Sequence, residues 1–343
     1  MQHEITKSHP LLDEKGVLTE PGYARSPLLI YDRSAVKAHP LRIKEWDYYY
    51  IGNRAFGVAL TIADNSYMGL DSISLLDFEE GWEITKSPMQ VMTRGKKALP
   101  ASSRNGDVVS EGKGYRIAFE NKGETRRLSF FMENFKDAKS IRGELELSCP
   151  EQETMVIATP FPGDEKAFYY NQKINCMAAK GQVFFDGREY RFTPENSSAV
   201  LDWGRGVWTY KNTWYWGSAS GRLKGVPFGF NIGYGFGDTS AATENMLFYD
   251  GKAHKLEAVH FGIPQKEGKE DYMSPWRFTS SDGRFEMDFQ PILHRSSDTN
   301  ALVIRSDQHQ IFGLFCGKAV LDDGTVLEVR DLPGFAEKVY NKW

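Results

Sequence analysis

The chain has few of the features that announce a common chemistry. Its three cysteines, Cys149, Cys176 and Cys316, are odd in number, widely spaced and form no CxxC pair, which argues against a disulfide framework, a zinc site or a thiol nucleophile. No apolar stretch approaches the ~20 residues that span a bilayer, and the opening MQHEITKSHP is charged and lacks the apolar core of a signal peptide. A soluble, cytoplasmic protein is expected. Neither sign of charge dominates: 42 basic against 46 acidic residues leave a net charge of -4, so nucleic acid and anionic membrane are poor candidates as partners. No GxSxG, phosphate loop or dinucleotide fingerprint stands between a strand and a helix. Histidines and carboxylates show no metal-ligand spacing, and neither metal nor cofactor is expected. Helical periodicity is scarce as well. GFAEKVYNKW, residues 334–343, is the main candidate for a short helix or end-capping turn.

Turn chemistry is abundant. Asn105-Gly106, Asp186-Gly187, Asp250-Gly251, Asp282-Gly283 and Asp323-Gly324 each sit between alternating runs, and such pairs favour tight hairpin turns. Strands at intervals of ~8 to 12 residues with turns between them predict an all-β fold of antiparallel barrels or sandwiches. In VPFGFNIGYGFGD one parity carries Phe228, Phe230, Ile232, Tyr234 and Phe236 and the other Gly229, Asn231, Gly233 and Gly235. That pattern suits a strand with an aromatic face on one side and close backbone approach on the other, as in a barrel wall or a strand abutting a second domain. At 343 residues the chain fits about two domains, and the polar break Cys149–Glu153 divides it into 1–153 and 154–343. KEWDYYYIG reads as an opening strand with Trp46, Tyr48 and Tyr50 on one parity and Asp47 and Tyr49 on the other.

The segment SAVLDWGRGVW, Ser198 to Trp208, sets an acid, an arginine and two glycines between tryptophans in a strand. A buried charge is costly without a partner, so the motif asks for a pocket. Three readings stay open for Asp202: a proton donor whose pKa is raised among tryptophans, a structural clamp with Arg205, or a simple turn acid. GDTSAATEN adds Glu244 and Asn245 on a loop. They either cap that loop with Asp238 or face Asp202 as the second half of an acid–base pair. His260 in KAHKLEAVHF is either a proton carrier or a hydrogen-bonded wall residue. Trp46, Tyr169, Trp203, Trp214 and Trp216 are the candidates for a cavity lining, with Asn171, Arg205 and Asn245 as polar contacts for a ligand, although most barrel aromatics simply pack.

The run FYYNQKINCMAAKGQVFFDGREYRFTPENSSAVLDWGRG, followed by WYWGSASGRLKG, resembles the carotenoid 1,2-hydratase and AttH-like group of lipocalin-related proteins. A closer resemblance, carried by HPLLDEKGVLTEPGYARSPLLIYDR, KEWDYYYI, LDWGRGVW, GYGFGDTSAATEN and HQIFGLFCGKAVLDDG with DLPGFAE, is to a bacterial family catalogued as domain of unknown function 2804. This resemblance implies two lipocalin-like antiparallel β-barrel domains packed side by side. It supplies no reaction, because such barrels host many functions. In one respect the chain departs from the hydratase-like pattern, which tends to put a second carboxylate between the Asp and Trp-Gly, where this chain has Asp202-Trp203-Gly204. The expected function is a cofactor-free lyase, hydratase or isomerase acting on an apolar or amphipathic small molecule. Asp202 would protonate the substrate, and Glu244 or His260 would handle water or the returning proton. A lipid-like ligand carrier and a carbohydrate-active enzyme are the alternatives.

Overall fold

A computed structural model describes residues 2–301 and 304–342. Two curled antiparallel sheets, lipocalin-like and side by side, account for nearly all of it. The first contains β1 Ile43–Gly52, β2 Phe56–Asp64, β3 Met68–Asp77, β4 Trp82–Lys86, β5 Val108–Gly112, β6 Tyr115–Asn121, β7 Thr125–Lys136, β8 Lys139–Ser148, β9 Met155–Phe161, β10 Asp164–Phe185, β11 Arg188–Phe192 and β12 Ser198–Val207. Its main path runs β4-β3-β2-β1-β12-β10-β8-β7-β6-β5, with β9 and β11 also paired to β10. The second contains β13 Lys211–Leu223, β14 Val226–Tyr234, β15 Met246–Tyr249, β16 Lys252–Lys255, β17 Val259–Gly262, β18 Trp276–Ser280, β19 Phe285–Ala301, β20 Ile304–Val320 and β21 Val326–Lys342. These run in the order β16-β15-β14-β13-β21-β20-β19-β18-β17. β5 lies back against β2 and β17 against β14, which curls each sheet into a barrel.

Burial along the strands explains the arrangement. β7 and β8 alternate, with Leu128, Phe130, Ile141 and Leu145 inside and charged residues outside, as expected of a sheet with one face in water. β1, β12 and the first half of β10 are buried on both faces. One face meets the core of their own barrel and the other packs against the second sheet. β14 does the same from the opposite side: Phe228, Phe230 and Ile232 fill the second barrel, while Gly229 lies against Cys176 of β10 and leaves no room for a side chain there.

Three expectations are corrected. The break at Cys149–Glu153 is not where the architecture divides, because hydrogen bonding continues through β9, β10 and β12 into β1. The chain leaves the first sheet at Val207 and enters the second at Lys211. The segment expected to be helical, 334–343, lies in β21 as strand, its last residue falling outside the described ones. The pairs at 186–187, 250–251, 282–283 and 323–324 each join two paired strands, but Asn105-Gly106 precedes β5 without closing a hairpin, and the β5–β6 turn falls at Lys113-Gly114.

β10 is the hinge of the assembly. Its 22 residues change partners at a bulge between Ile174 and Met177, where Cys176 takes a positive φ of 60°. The bulge is pinned to the second barrel. The Asn175 side-chain amide donates to Ser218 Oγ at 2.8 Å and to the Phe230 carbonyl at 3.1 Å.

Candidate functional site between the barrels

Strand parity separates the LDWGRG residues. Asp202, Gly204 and Gly206 point toward the second barrel, and Trp203, Arg205 and Val207 point into the first. Gly204 is required by its neighbour across the strand pair, because a Cβ there would sit 2.0 Å from Trp46 Cζ2. Its absence lets the Trp46 indole lie across the backbone.

Asp202 is 8% exposed and faces its neighbours on β10. Asn171 Nδ2 donates to Asp202 Oδ1 at 2.6 Å, and Lys173 Nζ reaches the same oxygen at 2.8 Å. Lys173 is 1% exposed, and its ammonium lies 3.8 Å over the Trp216 ring. The clamp with Arg205 therefore does not form, since residues three apart on a strand lie on opposite faces. Arg205 donates instead to Asp47 Oδ1 at 3.0 Å and to the Trp46, Gly204 and Pro100 carbonyls at 2.8 Å each, with its guanidinium stacked 4.2 Å from Trp203. Trp203 itself packs against Tyr31 and Tyr170. Both residues belong to the interior of the first barrel and not to the site around Asp202.

The second barrel contributes two carboxyls. Glu244, 3% exposed, accepts a long hydrogen bond from Tyr169 Oη at 3.4 Å on Oε2, while its Oε1 has no protein partner. Gly233 makes room for that oxygen, which a Cβ would approach to 2.0 Å. Burial pushes Glu244 up to about 7, the nearby Lys173 charge opposing and the Asp202 charge adding to the shift. Glu337, on β21, accepts from Trp214 Nε1 at 2.9 Å and from Gln310 Nε2 at 3.0 Å. It keeps some accessible surface, yet the surrounding protein desolvates its carboxyl and pushes it up to about 7, against the Trp214 N–H and the charges of Arg295 and Lys173. Burial and the charges of Glu244 and Asp202 raise Tyr169 well above the ordinary phenol range.

Aromatic rings wall this cluster. Trp46 stacks on Tyr169 with centroids 6.3 Å apart, and Tyr169 on Phe236 at 4.8 Å. Trp214 tilts over Phe236 at 5.8 Å, and Trp208 stands edge-on to Trp214 at 5.1 Å. Trp216 is held from behind: its Nε1 donates to Asn231 Oδ1 at 2.7 Å, and Asn231 Nδ2 donates to the Glu244 carbonyl at 3.0 Å. Trp46, Trp214 and Glu337 retain accessible surface. A small cleft at the other end of the same interface, between Ser198, Val200, Ser218, Ser220 and Phe335, has room for about one water.

Of the residues expected at the site, the structure thus brings together Asp202, Glu244, Trp46, Tyr169, Asn171, Trp214 and Trp216. Four lie elsewhere or are otherwise engaged. His260 is exposed on β17, with its neighbours Val259 and Phe261 pointing inward. Asn245 has its side chain tied to backbone, accepting from Gly233 N at 2.7 Å and donating to the Glu257 carbonyl at 2.9 Å. Trp203 and Arg205 face the other way. Lys173 and Glu337 escaped the sequence reading. Lys173 follows Tyr169 and Asn171 at a spacing of two and could have been found from that parity, whereas Glu337 fell in the segment read as helix. Among the described residues no group of three or more His, Cys, Asp or Glu is arranged to hold a metal ion.

Solved structures show where this architecture recurs. An AttH candidate from Nitrosomonas europaea superposes with a TM-score of 0.56 at 14% identity, covering 88% of this chain and 93% of that one. CghA crystallised with Sch210972 gives a TM-score of 0.51 at 12% identity over 97% of each chain. Kievitone hydratase from Nectria haematococca gives 0.49 at 11% identity over 98% of each. No curated protein matches the sequence. Likeness at such identities speaks to the fold alone, but the sequence itself matches the family model DUF2804, domain of unknown function, over residues 2–343, and the chain belongs to that family.

Proposed function

We propose that the site between the barrels performs acid–base chemistry without a cofactor on an apolar or amphipathic small molecule, as a hydratase, lyase or isomerase. The observation that carries this reading is the combination, within one aromatic-walled interface, of a lysine-paired carboxylate at Asp202 and two carboxyls, Glu244 and Glu337, that hold their protons to about neutral pH. Carboxyls that keep a proton to about neutral pH supply the acid, and a neighbouring carboxylate a place for the returning proton, which is what general acid and general base catalysis needs. In the hydration direction the Glu244 carboxyl, whose Oε1 is uncommitted, delivers its proton to one carbon of an alkene. The developing cation lies against the faces of Trp46 and Trp214 and near the Asp202 carboxylate. Water adds to the second carbon, and its released proton passes to a carboxylate of the site. Elimination is the same path reversed, and isomerisation omits the water. The two-barrel likeness to the AttH candidate and CghA supports the scaffold. The chemistry rests on the residues.

Small molecules that copurify with the protein are identified by native mass spectrometry and then incubated with it in heavy water. Hydration, or an elimination or isomerisation that reverses through a carboxyl exchanging with solvent, places deuterium on a carbon of the recovered molecule, and a net elimination is read instead as the loss of water or of another small fragment from its mass. Wild type is expected to do so, and Glu244→Gln and Asp202→Asn are expected to fail while still retaining the ligand. A bound hydrophobe that neither gains carbon-bound deuterium nor is converted to a hydrated, dehydrated or isomeric product by the wild-type protein would establish the carrier instead.

A further inference from the structure

The interior of the first barrel contains a buried cation that, among the described residues, has no carboxylate partner. Arg126 on β7 is 6% exposed, and among the described residues no carboxylate lies within ion-pair distance of it. Its Nη1 donates to Tyr49 Oη at 3.2 Å and its Nη2 to the Ser103 carbonyl at 2.7 Å, the Cys149 thiol also lies against the guanidinium, and Nε has no hydrogen-bond partner. Asp47, the carboxylate whose charge reaches it, is engaged by Arg205. Two guanidiniums therefore lie near one carboxylate in a water-poor interior, an arrangement that is unfavourable when left uncompensated. Three buried N–H groups of this region have no hydrogen-bond partner: Arg126 Nε, Arg205 Nε and Trp203 Nε1, the last on a side chain 2% exposed. A set of open donors around excess positive charge calls for an anionic acceptor.

Part of that role is filled by the protein's own backbone. Residues 92–107 cross from the strand Met89–Val91 to β5 as an irregular strap. The strap lends the Pro100 carbonyl to Arg205 and the Ser103 carbonyl to Arg126, and the Ser103 hydroxyl is bonded to Gln172 on β10. Nε and one N–H of Nη2 share an edge of the planar guanidinium, the edge that a carboxylate meets with both oxygens at once. On Arg126, Nη2 carries a single carbonyl and Nε has no hydrogen-bond partner. A carboxylate would fill both halves and supply the missing charge.

We infer that the first barrel, beneath the strap 92–107, is a second binding site that takes an apolar monocarboxylate, its carboxylate on Arg126 and its hydrocarbon part among Tyr49, Phe119 and the neighbouring core. The strap carbonyls stand in for the ligand when it is absent. This site is separate from the one between the barrels and does not depend on the reading given there.

Calorimetric titration of the full chain with decanoate, naphthoate and decanamide tests it. At least one of the two carboxylates binds about tenfold or more tighter than the uncharged amide, the margin of a charged hydrogen-bonded pair, and the tighter of the two names the hydrocarbon as aliphatic or aromatic. Arg126→Lys keeps the buried charge but loses the planar fork and removes most of that preference, whereas Asp202→Asn leaves it intact. Hydrogen–deuterium exchange of residues 92–107 rises on carboxylate binding, because the strap loses its anchor when the Ser103 carbonyl is displaced from Arg126. The inference is overturned by equal binding of decanoate and decanamide, by binding of neither, by a preference unchanged in Arg126→Lys, or by its loss in Asp202→Asn.

Discussion

Replacing Glu244 by glutamine isolates the property on which the acid role depends. The folded-state carboxyl sits at about 7 against an ordinary value of 4.5, so between those values the native state holds a proton that the unfolded chain has released. Stability contributed by this group is full below the unfolded value and is lost as pH rises through that window, the opposite of the usual paired carboxylate. From the linkage relation the wild-type carboxylate costs the fold about 1 kcal/mol near pH 5 and about 3 kcal/mol near pH 8. Glutamine has almost the same shape, keeps a carbonyl for Tyr169 and never ionises. Glu244→Gln should therefore gain on the wild type with rising pH, and the gap should widen by about 2 kcal/mol over that interval. Urea unfolding of both proteins at a series of pH values measures it, because every other titrating group is common to both and cancels in the difference. A gap that stays flat, or narrows, between those pH values would mean that Glu244 ionises as an ordinary carboxylate. The proton donor of the proposed mechanism would then have to be sought elsewhere.

The remaining predictions concern the neighbours of that carboxyl. Lys173→Met removes the buried partner of Asp202 and should cost about 3–5 kcal/mol. Adding Asp202→Asn should recover at least ~2 kcal/mol of it, a non-additivity that a double-mutant cycle by denaturant unfolding reads directly. Gly204→Val pushes a side chain into the Trp46 indole and should cost about 1–3 kcal/mol by overpacking, together with a weaker hold on any copurifying ligand by native mass spectrometry. His260→Ala, at an exposed position, should change thermal stability by less than ~0.5 kcal/mol and leave ligand retention unaltered.

How much of this was legible in the sequence follows from what a strand period can encode. Alternation with a period of two says which residues share a face, and on that basis Phe228 to Tyr234 read correctly as aromatic and aliphatic side chains on one side and close backbone approach on the other, whereas Phe236, beyond the end of the strand, packs in the other core against Tyr169. Asp-Gly pairs with both residues at positive φ, such as Asp186-Gly187 and Asp250-Gly251, mark hairpins because their twist matches that of the flanking strands. The same rule was available for LDWGRG and would have set Asp202 and Arg205 on opposite faces. Where a strand is buried on both sides, however, no polar face shows which way it is turned. β10 carries Tyr169, Asn171 and Lys173 on one parity and Phe168, Tyr170 and Gln172 on the other, all of them buried. Glu337 hid for a related reason, since an acid at an inward position breaks the alternation that would have announced β21.

The residue order of the chain by itself determined the all-β class, four of its hairpins and the grouping of side chains into faces, because these follow from contacts between residues near one another along the backbone. The tertiary structure alone decided that Asp202 meets Lys173, that Glu244 and Glu337 converge on them from a second sheet, and that Arg205 belongs to a different interior. Those encounters join strands more than a hundred residues apart in some cases. The desolvation that raises Glu244 and Glu337 exists only once both barrels have closed over them.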